Sequence, residues 1–276
     1  PIPKRPLGKT GEEVTILGLG GRYAIQLHEH HDDAVSIVNR AIDLGVNYID
    51  TSAGYGTGGS ELNIGTVMRD RRNEVFLATK SHDFTYDGTM ALVRQSLRRL
   101  QTDHIDLYQH HYLGRRGQLE DLRQAHSARH AFEQLREDGA IRFIGVTGHS
   151  SRVLADALED YPYDCALLTF NAADLEMQDP EHLDRFFRIA QQKEVGVIAM
   201  KVVARGSLVE TGLDPSDLIR YVLSYPVSTA IIGASQIEHL EENVGIAKAF
   251  EPMDAAEMAA FRSEALKRGA DAPRRR

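Results

Sequence analysis

The sequence predicts an α/β protein: a (β/α)8 TIM barrel with a short N-terminal β-hairpin and a C-terminal helix. Short apolar runs alternate with longer amphipathic stretches, and there are eight such runs. The length of 276 residues is just above the typical size of one barrel of this kind. No linker or low-complexity tract divides the chain. We therefore expect residues 1–276 to form one domain.

The eight apolar runs are rich in Val, Ile and Leu, and they are the predicted strands. Continuous apolar character is typical of parallel strands that are covered on both faces. The runs are Ile16–Gly20, Val46–Asp50, Val75–Lys80, Ile105–His111, Phe143–Thr147, Ala166–Asn171, Gly196–Lys201 and Thr229–Gly233. Helices are predicted near residues 32–44, 60–69, 88–100, 125–138, 151–160, 180–192, 214–224, 236–248 and 254–267.

Local signals mark the ends of these helices. Asp87 and Ser150 are placed as N-caps, and Pro215 follows Asp214 at a first helical position. Glycine commonly ends a helix, and three glycines follow helical runs: Gly45, Gly139 and Gly196. A Gly-Lys-Thr-Gly turn at residues 8–11 separates two short potential strands, which predicts a hairpin over the bottom of the barrel.

A doubly wound open sheet is the structural alternative to a barrel. Such a sheet usually has fewer strands, and its first turn usually carries a Gly-x-Gly-x-x-Gly motif. The segment Gly18–Gly21 follows the first predicted strand, but it lacks the third glycine at the required place. The barrel is therefore the simpler interpretation.

Composition excludes several classes of partner. The formal net charge is −8 and the pI is about 5.8, which argues against nucleic acid, because proteins that bind it usually present a basic face. No apolar stretch approaches the ~18 residues of a membrane span, so we expect a cytoplasmic protein.

The single cysteine, Cys165, lies in an apolar run that predicts a buried residue. The histidines within residues 28–31 are interpreted as a solvated loop, and no metal site is predicted.

Polar residues stand at the ends of successive predicted strands. Asp50 ends the second strand, Tyr55 lies in the loop after it, Lys80 ends the third strand, and His110 and His111 end the fourth. Each alone has an ordinary structural explanation. Because the carboxyl ends of barrel strands surround the active site, the four positions together predict a catalytic centre.

These residue types suit the reduction of a carbonyl group. No side chain supplies hydride, so a nicotinamide is required. A tyrosine with a pKa near ~10 is a reluctant acid at pH 7, and a neighbouring ammonium group lowers such a pKa. A buried Lys80 needs a partner, which Asp50 provides. An imidazole donates to the developing oxyanion.

The chain resembles the aldo-keto reductases in several segments. Residues 45–56 and 60–65 resemble the N-terminal motif of that family, and residues 75–80 resemble its third strand. Residues 96–111 resemble the segment that leads into the catalytic histidine of the family. Residues 139–147, and residues 231–235 together with Glu242 and Asn243, match later landmarks of the family. The resemblance covers about residues 5–248.

The resemblance implies an NAD(P)H-dependent oxidoreductase that interconverts a carbonyl (aldehyde, ketone or sugar) and an alcohol. The alternative is a nicotinamide-binding regulatory or sensor subunit on the same fold. Counting from Asp106 places the catalytic histidine at His111, with His110 as second choice. The implied catalytic residues are Asp50, Tyr55, Lys80 and His111.

The resemblance also implies a set of cofactor contacts. Thr147-Gly148 replaces a Ser-Asn pair that holds the nicotinamide carboxamide in the family, and His149 is a possible substitute for the missing amide. The segment 233–243 should hold the adenosine phosphates; it contains no Lys or Arg, which leaves the choice between NADP and NAD open. The predicted contacts are Gly21, Asp50, Thr147, Asn171, Met200, Lys201, Arg205, Gly233, Ser235, Gln236, His239, Glu242 and Asn243.

The loops that follow the strands should select a small carbonyl or sugar substrate. The predicted substrate contacts are Tyr23, Tyr55, Phe84, His111 and Tyr112. Arg115 and Arg116 are further candidates in the same loop as Tyr112. We expect no nucleic-acid or membrane partner, and a monomer or a small homo-oligomer.

Overall fold

A computed structural model describes residues 1–114 and 116–273. It shows a closed barrel of eight parallel strands and a two-stranded antiparallel sheet. The antiparallel strands are β1 (Lys4–Pro6) and β2 (Glu13–Thr15). The barrel strands are β3 (Leu17–Gly20), β4 (Tyr48–Asp50), β5 (Phe76–Ser81), β6 (Ile105–Leu113), β7 (Ile141–Gly148), β8 (Cys165–Thr169), β9 (Gly196–Met200) and β10 (Thr229–Ile232). The predicted TIM barrel and its N-terminal hairpin are confirmed.

Helices surround this barrel. In the described part of the chain they are α1 (His31–Asp43), α2 (Gly59–Arg71), α3 (Tyr86–Leu100), α4 (Arg116–Arg123), α5 (Ala128–Glu137), α6 (Ser151–Asp160), α7 (Leu183–Gln192), α8 (Ser207–Glu210), α9 (Pro215–Leu223), α10 (Ile237–Lys248) and α11 (Ala255–Gly269). The sequence did not predict α4 and α8, because 8 and 4 residues are too short to show a clear helical period. Arg115 and the side chain of Arg116 lie outside what the structure describes.

The N-caps were predicted correctly at two of three places. The Ser150 side chain accepts a hydrogen bond at the start of α6, and the Asp214 side chain does so at the start of α9. The prediction of Asp87 was wrong. The cap of α3 is Thr85, whose Oγ1 accepts from the main-chain N–H of Gly88 at 3.1 Å. Asp87 lies inside the first helical turn, where the positive end of the helix dipole stabilises a carboxylate.

The glycines at helix ends were also predicted in part. Gly45 and Gly139 have φ of 95° and 76°, a left-handed conformation in which a side chain is strained. Gly196 does not end a helix. It begins β9, and the left-handed residue before it is Glu194, with φ of 53°. Close packing explains why position 196 has no side chain, because a Cβ there would lie 2.8 Å from Cδ1 of Leu7.

The hairpin closes the amino-terminal end of the barrel. Leu7 lies between its two strands and is fully buried in the cluster that fills the barrel interior. The main-chain N–H of Lys9 donates to the carbonyl oxygen of Glu194 at 2.8 Å, and Ser228 Oγ donates to the carbonyl oxygen of Pro6 at 2.9 Å. The carboxyl ends of the strands therefore form the open end, where the predicted catalytic residues lie.

Candidate active site

A buried ion pair links two neighbouring strands. The Nζ of Lys80 on β5 donates to Oδ2 of Asp50 on β4, and also to the carbonyl oxygen of Thr51 at 2.6 Å. Both charged side chains are 1% exposed. Gln109 Nε2 donates to the second oxygen of Asp50 at 3.3 Å. Burial alone would lower the pKa of Lys80, but Asp50 and then Tyr55 raise it above its ordinary value, so Lys80 is an ammonium group at neutral pH.

The Tyr55 ring lies over this pair. It follows β4 in a tight turn, and the distance from Lys80 Nζ to the ring centroid is 5.0 Å. Gly56, with φ of 56°, lets the turn pass under the neighbouring loop, since a Cβ there would lie 2.0 Å from the carbonyl oxygen of Gln26. The rings of Tyr55 and His111 stand edge to face, with centroids 5.8 Å apart.

The two adjacent histidines of β6 face opposite sides of the barrel wall. His110 stacks on Phe132 outside the wall, at 4.1 Å between ring centroids, and neither of its nitrogens has a hydrogen-bond partner among the described residues. His111 faces the mouth, where its Nδ1 lies 3.0 Å from Ser52 Oγ. Alternation along a strand explains the difference. The structure therefore brings His111, and not His110, to Tyr55.

Burial keeps the mouth histidines neutral. Burial first, and then the charge of Lys80, lower the pKa of His111 to about 3. The pKa of His149 falls to about 4 through burial and the charge of Lys201. The Nδ1 of His149 lies 2.5 Å from Thr169 Oγ1, and its ring meets that of Tyr112 edge to face at 4.8 Å. His149 and Tyr112 thus form one wall of the mouth.

Comparison with known proteins identifies the family. The profile described as Aldo/keto reductase family matches residues 17–218. The chain belongs to the aldo-keto reductase family. Members of this family are NAD(P)-dependent oxidoreductases, so the resemblance seen in the sequence is confirmed.

Relatives span most of the chain. An uncharacterized oxidoreductase of Bacillus subtilis, YqkF, is 29% identical over 89% of this chain and 91% of its own length. L-galactose dehydrogenase of Arabidopsis thaliana is 27% identical over 88% of this chain and 87% of its own. Among solved structures, the holo form of the aldo-keto reductase AKR11C1 from Bacillus halodurans matches with a TM-score of 0.80 at 26% identity, covering 96% of both chains.

This reductase departs from the family pattern at the end of β7, and the structure gives the reason. Where the Ser-Asn pair is expected, it has Thr147-Gly148. Because β6 extends to Leu113 and pairs there with Gly148, a Cβ at Gly148 would lie 2.9 Å from the carbonyl oxygen of Leu113. Thr147 Oγ1 is buried and has no partner among the described residues. A buried hydroxyl without a partner at this position fits a polar ligand group such as a carboxamide.

The polar cofactor residues predicted after β8 and β9 contact other groups of the protein. Asn171 donates to the carbonyl oxygen of Leu175 at 2.8 Å, and its Oδ1 accepts from two main-chain N–H groups of the same loop. Its amide is thus used inside the protein in this structure. Lys201 Nζ and Arg205 both contact one oxygen of Glu176, at 2.5 Å and 3.1 Å. Met200 ends β9, half-buried against the barrel interior.

The predicted phosphate segment lies at the start of α10. Gly233 and Ser235 lead into Gln236, the N-cap residue, and no side chain caps the helix. Its first main-chain N–H groups are therefore available to an anion. His239 and Glu242 are exposed on the first turns, and Asn243 is half-buried.

Gly21, Tyr23 and Phe84 are placed differently from the rest of the predicted site. Gly21 is buried under the loop; its N–H donates to the carbonyl oxygen of Asp50 at 2.7 Å, so its contact with the site is through the backbone. The Tyr23 ring covers Gly233, since a Cβ at Gly233 would lie 2.6 Å from Tyr23 Cδ2. The Phe84 ring stacks against His110 outside the barrel wall, and the structure does not bring it to Tyr55.

The sequence analysis missed residues that contact the predicted catalytic groups. Ser52 contacts His111, and Gln109 contacts Asp50. Gln109 had a usable signal, since it lies two residues before His111 on β6 and therefore faces the same side. No sequence signal pointed to Arg22, whose guanidinium lies 5.0 Å from the Tyr55 ring centroid.

In the ranges 1–114 and 116–273, no helix is both long and apolar enough to cross a membrane. Within the same ranges, no group of three or more His, Cys, Asp or Glu side chains is arranged to hold a metal ion.

Proposed function

We propose that this protein is an NAD(P)H-dependent oxidoreductase that interconverts a carbonyl compound and an alcohol, with Tyr55 as the general acid and base. The observation that carries the proposal is the position of Tyr55 between the buried Lys80–Asp50 pair and the His111 ring. When bound, a nicotinamide supplies or accepts the hydride. The residues of the chain orient the carbonyl and move the proton.

Lys80 and Asp50 support proton transfer from Tyr55. Giving up its proton leaves a phenolate, which the nearby ammonium of Lys80 stabilises. The Asp50 carboxylate keeps that ammonium charged although it is buried. In the alcohol-to-carbonyl direction the same arrangement makes Tyr55 a base.

His111 serves as a neutral donor to the carbonyl oxygen. Ser52 Oγ accepts from the Gly54 N–H at 3.3 Å and lies 3.0 Å from His111 Nδ1, and in this proposal its hydroxyl hydrogen donates to that nitrogen. The proton of the neutral ring then sits on Nε2, where it can donate to the substrate. Ser52 is thus a positioning residue for His111.

The nicotinamide nucleotide fits the residues present at the mouth. Thr147 Oγ1 and His149 offer partners for the carboxamide, and the uncapped start of α10 offers main-chain donors for phosphate. Lys201 and Arg205 would supply positive charge to the nucleotide after their contacts with Glu176 break. We leave NADP and NAD as equal candidates, because segment 233–243 has no Lys or Arg.

The test is a turnover assay with both nucleotides. NADPH and NADH are titrated by fluorescence, and their oxidation is then followed with a panel of aldehydes, ketones and sugars. We expect at least one nucleotide to bind and to be oxidised in step with the formation of alcohol. Tight nucleotide binding without turnover of any carbonyl would favour the sensor function instead.

A further inference from the structure

One guanidinium group faces the catalytic tyrosine and takes no part in the proton transfer. The Cζ of Arg22 lies 5.0 Å from the centroid of the Tyr55 ring. Arg22 follows β3, which pairs with β4 directly before the Tyr55 loop, and it is exposed. Burial and nearer charges lower the pKa of His111 and of His149, and the charge of Arg22 adds a smaller contribution to both. Arg22 therefore points into the mouth rather than away from it.

Arg22 forms no ion pair among the described residues. The carboxylates near the mouth are engaged elsewhere: Asp50 accepts from Lys80, and Glu176 accepts from Lys201. An unpaired guanidinium presents a planar fork of donors that matches a carboxylate or a phosphate.

The neighbours of Arg22 also favour an anion. His111 and His149 are neutral at physiological pH, with pKa values of about 3 and about 4, so each ring carries one N–H hydrogen-bond donor and no charge.

We propose that Arg22 binds an anionic group of the substrate, a carboxylate or a phosphate, and that the site selects anionic aldehydes or ketones over neutral ones. This rests on the proposed reductase function. The substrate is then held at two points, with its carbonyl oxygen at Tyr55 and His111 and its anionic group at Arg22. Two separate attachment points fix the orientation of a small molecule, which attachment at the carbonyl oxygen alone does not do.

The experiment compares matched aldehydes that differ in charge. One arm uses succinic semialdehyde and its methyl ester, and the other uses glyceraldehyde 3-phosphate and glyceraldehyde, so the two arms separate carboxylate from phosphate. For each pair, the ratio of kcat/KM is measured in the native protein, in Arg22→Met and in Arg22→Lys. We expect the native protein to favour the anionic member of at least one pair. We expect Arg22→Met to lower that ratio about tenfold or more, as loss of a charge-assisted hydrogen bond does, and Arg22→Lys to retain part of it.

Three results would overturn the proposal. They are a native preference for the neutral member of both pairs, an unchanged ratio in Arg22→Met, and a loss in Arg22→Met that falls on NADPH or NADH affinity instead of on the ratio. The last result would assign Arg22 to the cofactor.

A binding measurement separates this proposal from the reductase function itself. If no aldehyde is turned over, calorimetric titration with succinate and with inorganic phosphate still tests Arg22. Weaker binding of either anion to Arg22→Met than to the native protein supports an anion site. Equal binding, or none to either protein, contradicts it.

Discussion

Replacing Lys80 with methionine tests the energetics of the buried pair. In Lys80→Met the Asp50 carboxylate, 1% exposed, keeps one side-chain donor, Gln109 Nε2 at 3.3 Å. Removing one member of a buried ion pair costs about 3–5 kcal/mol, because the remaining charge stays desolvated. We expect a loss of that size in the free energy of unfolding, together with the loss of carbonyl reduction and nearly unchanged cofactor affinity.

The cost of this substitution should depend on pH with a definite sign. Burial raises the pKa of Asp50 even with Lys80 beside it, and without Lys80 the main opposing influence is gone. A carboxyl whose pKa is higher in the folded state than in the unfolded state destabilises the fold as pH rises through the unfolded value of ~3.9. The penalty should therefore be larger at about pH 8 than at about pH 5.

The assay is urea denaturation followed by far-UV circular dichroism, since the chain has no tryptophan. Two controls accompany it. Lys201→Met removes a lysine whose partner, Glu176, is 27% exposed, so it should cost about 1 kcal/mol or less. Asp50→Asn combined with Lys80→Met should recover most of the lost stability and none of the activity. A Lys80→Met protein as stable as Lys201→Met, or equally destabilised at both pH values, would refute the reasoning.

Three further predictions follow from buried groups. His110→Leu should raise the unfolding free energy by about 1–3 kcal/mol, because it removes two buried nitrogens without partners. His110→Leu should also keep activity, whereas His111→Leu should lose it. The reverse pattern in paired turnover and denaturation assays would reassign the catalytic histidine to His110. His110 and His111 have pKa values of about 3, below the unfolded ~6.5, so stability should fall as pH drops below ~6.5, and less steeply in His110→Leu; identical pH slopes in denaturation series would count against this. Cys165 is buried, and burial raises its thiol pKa, so a disulfide reagent such as Ellman's should react only after unfolding; prompt reaction of the native protein would contradict this.

The barrel, and the meeting of Asp50 with Lys80 at its mouth, were predictable because they follow from strand order. Continuous apolar runs mark parallel strands, and parallel strands bring their carboxyl ends together. Asp50 and Lys80 stand at such ends, which is why residues 30 positions apart meet.

The sequence could not predict contacts that depend on the conformation of loops and the exact ends of strands. Phe84 was expected at the substrate, but its ring packs on His110 outside the wall. Gly148 lacks the amide that the family carries at this position, and the extension of β6 to Leu113 explains why no larger residue fits there. The contact of Ser52 with His111 joins residues 59 positions apart through loop geometry that no local pattern records.

The most direct test of the central claim is the activity of Tyr55→Phe, which removes one hydroxyl and keeps the ring beside Lys80 and His111. With the nucleotide and carbonyl that the native protein turns over best, we expect kcat/KM to fall by about 10²–10⁴, as loss of a general acid does. Nucleotide affinity, measured by fluorescence titration, should stay within a few-fold of the native value. Native-level turnover by Tyr55→Phe would contradict the assignment of Tyr55 as the proton donor.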